Sequence, residues 1–109
     1  MSNQKEMLAT SVSFAVGTKI PSRIKCSLRQ PVVARVESTK DGIILSSELF
    51  DEEAFGSTYS AAEIEFLVSL CDRFQSLAKR ENHLSAQDRA ILNELRSVLQ
   101  IRPSYLLLF

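Results

Sequence analysis

Apolar and polar positions alternate differently in the two halves of the chain, with a period near two before residue 50 and near 3.6 after residue 60. The helical pattern is the stronger. Ile64, Leu67, Cys71, Phe74 and Ala78 recur at steps of three and four, and Leu70 and Leu77 widen the stripe. Residues 60–78 are therefore predicted to form an amphipathic helix with one face on a core. Ser60 followed by Glu63 has capping-box spacing, in which each side chain can satisfy a free backbone N–H of the first turn. Glu63 and Glu65 near the start and Lys79 and Arg80 near the end suit the helix dipole. Glu65, Ser69, Asp72, Arg73 and Gln75 fill the solvated face in this reading.

Ser85 with Asp88 repeats the cap and opens a second helix from residue 86 to about residue 100. Its stripe is Ile91 or Leu92, Leu95, Val98 and Leu99, and Pro103 is expected to end it. The polar link 79–83 is short, so the two helices should form an antiparallel pair, with stripes on a sheet or on one another.

Ahead of them, residues 7–16 place Val12, Phe14 and Val16 on one side and Ser11, Ser13 and Ala15 on the other, with Gly17 as the stop. Residues 19–28 alternate Ile20, Ile24, Cys26 and Leu28 with Arg23, Lys25 and Ser27. Pro21 lacks a ladder donor, so this strand lies at an edge or begins after the proline. Arg29, Gln30 and Pro31 then turn the chain. Residues 32–38 and 43–50 flank Thr39-Lys40-Asp41-Gly42, a hairpin signal because Asp-Gly tolerates positive φ. Val32, Ala34 and Val36 oppose Val33, Arg35 and Glu37; on the return, Ile43, Leu45 and Ser47 oppose Ile44, Ser46 and Glu48. Residues 49–59 are expected to be an irregular loop or one helical turn.

The predicted fold is α+β: a small antiparallel sheet of three to five strands, followed by two amphipathic C-terminal helices packed on one face. A chain of 109 residues is one domain. Within it 1–6 reads as a frayed end, 7–50 as β-rich, 60–100 as helical and 101–109 as an apolar tail. Apolar content of 45% with 24% charged residues is globular rather than disordered composition. Net charge is zero, so no global field argues for nucleic acid or an anionic membrane. The charge is uneven, however. Residues 1–47 carry seven Lys or Arg against three acids, giving +4, and residues 48–109 carry six against ten, giving −4. Such a split marks a basic binding face or attraction between two halves of one fold.

No basic segment leads into an apolar one at the start, and no stretch reaches the roughly 18 apolar residues of a membrane span, which predicts a soluble, cytoplasmic protein. Cys26 and Cys71 have no metal-like spacing; in the cytosol both stay reduced, although the sequence leaves their pairing open. Tyr105, Leu106, Leu107, Leu108 and Phe109 make an apolar end that must be paired as a strand, tucked into the core, or buried in a partner or a second copy.

Candidate chemistry is sparse. His83, the only histidine, lies in a polar connector and is expected to be solvated. One histidine and two scattered cysteines do not make a zinc site or an oriented nucleophile–base pair. Asp51, Glu52 and Glu53 are consecutive, unlike the alternating oxygens of a calcium loop, and Gly17, Gly42 and Gly56 are too scattered to cradle phosphate. No catalytic, metal or cofactor residue is assigned. Lys19, Arg23, Lys25 and Arg29 concentrate basic charge on one stretch and carry the alternative reading, a small nucleic-acid-binding protein; interleaved aromatics are missing there.

The order strand, Asp41-Gly42-Ile43-Ile44, strand, Gly56-Ser57-Thr58-Tyr59-Ser60-Ala61-Ala62, helix resembles the HicB-like antitoxin family over residues 32–77. That family's Pro-Gly-Cys segment is replaced here by Leu49-Phe50-Asp51-Glu52-Glu53-Ala54-Phe55. The resemblance implies a non-enzymatic antitoxin or regulator that masks a small basic toxin, with Asp51, Glu52 and Glu53 as contacts. The expected function is thus a protein-interaction or regulatory module without a cofactor, binding a protein partner or itself.

Overall fold

The computed structural model describes residues 11–22 and 25–102, with the backbone alone at Lys25 and Arg102. The fold is α+β: the described residues form seven strands in two antiparallel sheets, with two helices C-terminal to most of the strands. The strands are β1 (Ser11–Phe14), β2 (Lys19–Ile20), β3 (Lys25–Leu28), β4 (Val32–Ser38), β5 (Ile43–Ser47), β6 (Glu52–Gly56) and β7 (Leu99–Arg102). The helices are α1 (Tyr59–Lys79) and α2 (Ala86–Val98), joined through a 3-10 turn (Glu81–His83).

The first sheet has the order β1-β4-β5-β6. Its centre is the Asp-Gly hairpin, in which Ser38 pairs with Ile43 and Val36 with Leu45 across the turn Thr39-Lys40-Asp41-Gly42. Thr39 closes that turn, its N–H donating to the Gly42 carbonyl at 2.8 Å. Phe14, Val32, Ala34, Leu45 and Ala54 are buried, so the alternation read in the sequence puts one face on the core. Helix α1 covers that face, packing chiefly on β6 and β5. The rings of Phe14 and Phe66 stack at 5.9 Å and 17°. Helix α2 packs on α1 rather than on this sheet, burying Ile91, Leu92, Leu95 and Val98.

The second sheet has the order β2-β3-β7. Residues 19–28 are therefore a short hairpin instead of one strand. Pro21 and Ser22 interrupt the ladder, and the strand resumes at Lys25 with Ile20 opposite Cys26. The third strand comes from past α2. Leu99 adopts extended backbone (φ −101°, ψ 138°) and starts β7, so the second helix stops at Val98 and Pro103 is not what ends it.

Three further expectations change. Residues 52–56 form a strand rather than a loop or helical turn. Asp51 supplies the tight turn before it with φ 53°, a conformation Asp tolerates, and pairing with β5 then orders the acidic run. Helix α1 begins earlier, with Thr58 as its cap: Thr58 Oγ1 accepts the Ala61 N–H at 3.1 Å, so Ser60 already lies inside the helix. Its buried stripe is Ala62, Phe66, Leu67, Leu70, Cys71 and Leu77, while Ile64 is 50% exposed. Gly56 sets that angle of approach. A Cβ there would run into the Ala62 backbone N, so only glycine lets the end of β6 lie against the first turn of the helix. The Ser85 cap is as expected, accepting the Asp88 N–H at 3.1 Å.

The N-terminal segment 1–10, Arg23, Ile24, Pro103 and the tail residues Tyr105, Leu106, Leu107, Leu108 and Phe109 lie outside the described residues. Among the described residues no helix is long and apolar enough to cross a membrane.

Candidate partner-binding site

The chain between β5 and β6 turns over Glu48, Leu49, Phe50 and Asp51, and the Asp51 N–H donates to the Glu48 carbonyl at 3.2 Å. Phe50 is buried and anchors the turn, which leaves Leu49 55% exposed. A cleft of about 420 Å³ separates this turn from α2, lined by Glu48, Leu49, Asp51, Gln87, Ala90, Ile91 and Glu94. Its chemistry is one-sided, with three carboxylates around exposed Leu49 and no cation among the described lining residues.

The acidic run is divided by function. Asp51 Oδ2 and Glu52 Oε2 each accept a hydrogen bond from Arg73, at 3.3 Å, from opposite ends of its guanidinium. Glu53 faces away from α1 on the uncovered side of the first sheet, with Ser46 as its cross-strand partner and exposed Phe55 two residues on along the same face. Burial pushes the Glu52 carboxyl above its ordinary value, against the opposing pull of Arg73 and Ser69. The Arg73 Nε has no hydrogen-bond partner in the protein although it is buried. Residues 51 and 52 thus fasten β6 to α1. Asp51, with 64% of its side chain exposed, still borders the cleft.

The fold brings two members of the basic stretch together. Lys19 and Arg29 both line a second cavity of about 630 Å³ beside Cys26. Arg29 turns its guanidinium to the Leu99 carbonyl at 3.2 Å. Lys25 is described by its backbone alone, and Arg23 lies outside the described residues. His83 is exposed in the 3-10 turn. Among the described residues no three His, Cys, Asp or Glu side chains group as metal ligands.

Sequence reasoning named Asp51 but missed Glu48, Leu49, Gln87 and Glu94. A leucine between Glu48 and buried Phe50 gives a weak signal of an exposed turn apex. The facing residues of α2 lie some forty positions away and carry none. Compared with family models, with curated proteins and with solved structures, the chain matches none of them.

Proposed function

We propose that the protein is a non-enzymatic interaction and regulatory module that binds a basic segment of a partner protein in the cleft between the β5–β6 turn and α2. The observation that carries this reading is exposed Leu49 ringed by the carboxylates of Glu48, Asp51 and Glu94. A Lys or Arg whose chain stem lies along Leu49 would place its cationic head among those carboxylates. Charge complementarity of this kind steers encounter and selects partners more than it adds raw affinity. A regulator that masks a small basic protein, the function implied by the HicB-like resemblance, has the same requirement.

The test is affinity purification of the tagged chain from its own cell, with nuclease treatment, at low and high salt. Wild type is compared with a Leu49→Ser, Glu94→Lys double variant, both changes lying outside the buried core. The expected result is a stoichiometric basic protein that survives nuclease, weakens at high salt and is lost from the variant. Equal recovery by both chains would overturn the site. Partners removed by nuclease would overturn the protein-binding reading and point to the basic stretch instead.

A further inference from the structure

The second sheet gathers hydrogen-bond donors on one face. Its register sets Lys19 of β2 opposite Ser27 of β3, and Ser27 opposite Gln100 of β7, so the three stand in one row across the strands. The ladder runs on to Arg29, whose N–H donates to the Val98 carbonyl at 2.7 Å; two residues from Ser27, it continues the same face. Lys19, Ser27, Arg29 and Gln100 all line the cavity of about 630 Å³. Exposed Val16 and Pro21 line it too, and it reaches Ile20 and Leu28, so apolar surface lies beside the donors. Among the described lining residues none is a carboxylate. We propose that this cavity binds a small amphipathic anion, an organic molecule with one anionic oxygen head group and an apolar body.

The backbone holds these groups in place before any ligand arrives. Ahead of β2 the chain makes a bulge against β3: the Gly17 N–H donates to the Leu28 carbonyl at 2.8 Å, and the Leu28 N–H donates to the Thr18 carbonyl at 2.9 Å, so two residues oppose one. Gly17 takes φ 89°, the left-handed conformation that such a bulge uses. The bulge fixes how β2 meets β3, and with it the place of Lys19. Arg29 is held from the other side, its guanidinium donating to the Leu99 carbonyl at 3.2 Å. A guanidinium carries five N–H donors, and that bond uses one. Two cations in a concave, partly apolar site match a single head group on an apolar body. They do not make a track for a polyanion, which needs a longer basic groove and aromatic rings for its bases; among the described lining residues none is aromatic. The cavity shares no lining residue with the acidic cleft and carries the opposite charge.

The test titrates the full native chain with the fluorescent anion anilinonaphthalene sulfonate and with its uncharged counterpart, phenylnaphthylamine. The sulfonate should bind saturably at one site, about tenfold more tightly than the uncharged dye. Lys19→Glu and Gln100→Glu, both at exposed positions, should each weaken the sulfonate about tenfold while melting as wild type does. Leu49→Ser, in the acidic cleft, should leave its binding unchanged. No saturable binding, equal affinity for the two dyes, or full affinity in either variant that melts as wild type does would overturn the proposal. So would a mixed-sequence single-stranded oligonucleotide that displaces the sulfonate and binds more tightly than it does, which would make the cavity part of a nucleic-acid face.

Discussion

The two sheets reach similar burial by opposite routes. The first is a meander: β4, β5 and β6 follow one another, each joined by a tight turn, and β1 adds at the edge of β4. The second joins a two-residue strand and a four-residue strand to one that arrives about seventy positions later. Leu45 is the buried centre of the first, and Leu28, opposite Leu99, is that of the second. Local turns close the first at low entropic cost, whereas the second forms only once α1 and α2 have brought β7 back to β3. Two main-chain and side-chain clasps then hold that return. The Arg29 N–H donates to the Val98 carbonyl at 2.7 Å, and its guanidinium reaches the next carbonyl, that of Leu99. The first sheet is therefore the scaffold and the second a clasp fastened onto it.

Truncating the two leucines breaks or upholds that distinction most directly. Leu45→Ala and Leu28→Ala should each cost about 2–5 kcal/mol, since both empty a fully enclosed site. Their patterns of amide exchange should differ. Leu28→Ala should speed exchange in β3 and β7 while β4 and β5 stay protected, because the clasp can open locally. Leu45→Ala should lower protection throughout, since nothing remains folded without the scaffold. Equal loss of protection in both sheets for both variants would show one cooperative unit and remove the distinction.

The same contrast governs what was legible in the sequence. The Asp-Gly hairpin, both helices and the Ser85 cap follow from residues within a few positions of each other, and the structure contains all of them. The second sheet has no such signature. Residues 19–28 alternate as one strand would, and Leu99 continues the helical stripe of Leu92 and Leu95. Only pairing across the chain turns those positions into a hairpin and a strand. Helix α1 shows how periodicity alone misplaces a face. Phe66 and Ile64 are both apolar, and what selects Phe66 for the core is the Phe14 ring opposite it. The candidate site is divided likewise. Asp51 stood out as part of an acidic run, but Arg73 as its partner and Glu94 as its companion across the cleft are products of folding.

A smaller effect distinguishes the electrostatic ties on the two sides. Glu52 opens β6 and is tied through Arg73 to α1, the scaffold. With its side chain only 14% exposed, burial outweighs the ion pair and raises its carboxyl above the ordinary 4.5. The folded protein then holds this proton more tightly than the unfolded chain. The resulting contribution to stability is complete below about 4.5 and is lost as pH rises through the raised value. Glu52→Gln keeps the side chain neutral at every pH. Urea titrations should therefore show wild type losing stability relative to the variant between pH 4.5 and neutrality. A constant difference would mean that Arg73 compensates fully for burial.

Glu81 gives the smallest effect and the opposite sign. It sits in the 3-10 turn ahead of α2, the helix that feeds β7, and accepts paired hydrogen bonds from Arg96 at 2.9 and 2.8 Å. Those bonds hold its carboxyl below 4.5, so the folded state favours the charged form. Its contribution is present above the unfolded value and is lost as pH falls through the folded one. Both partners are open to solvent, so salt screens the pair, with a Debye length of about 3 Å at 1 M. Glu81→Gln should cost little at neutral pH and low salt, and the cost should vanish in acid and in high salt. Acid thus relieves the buried glutamate of the scaffold while it loosens the exposed one beside the clasp. If β3 and β7 lose exchange protection on acidification before β4 and β5 do, the two ties act on separate units; simultaneous loss would show that the pair at Glu81 has no hold on the second sheet.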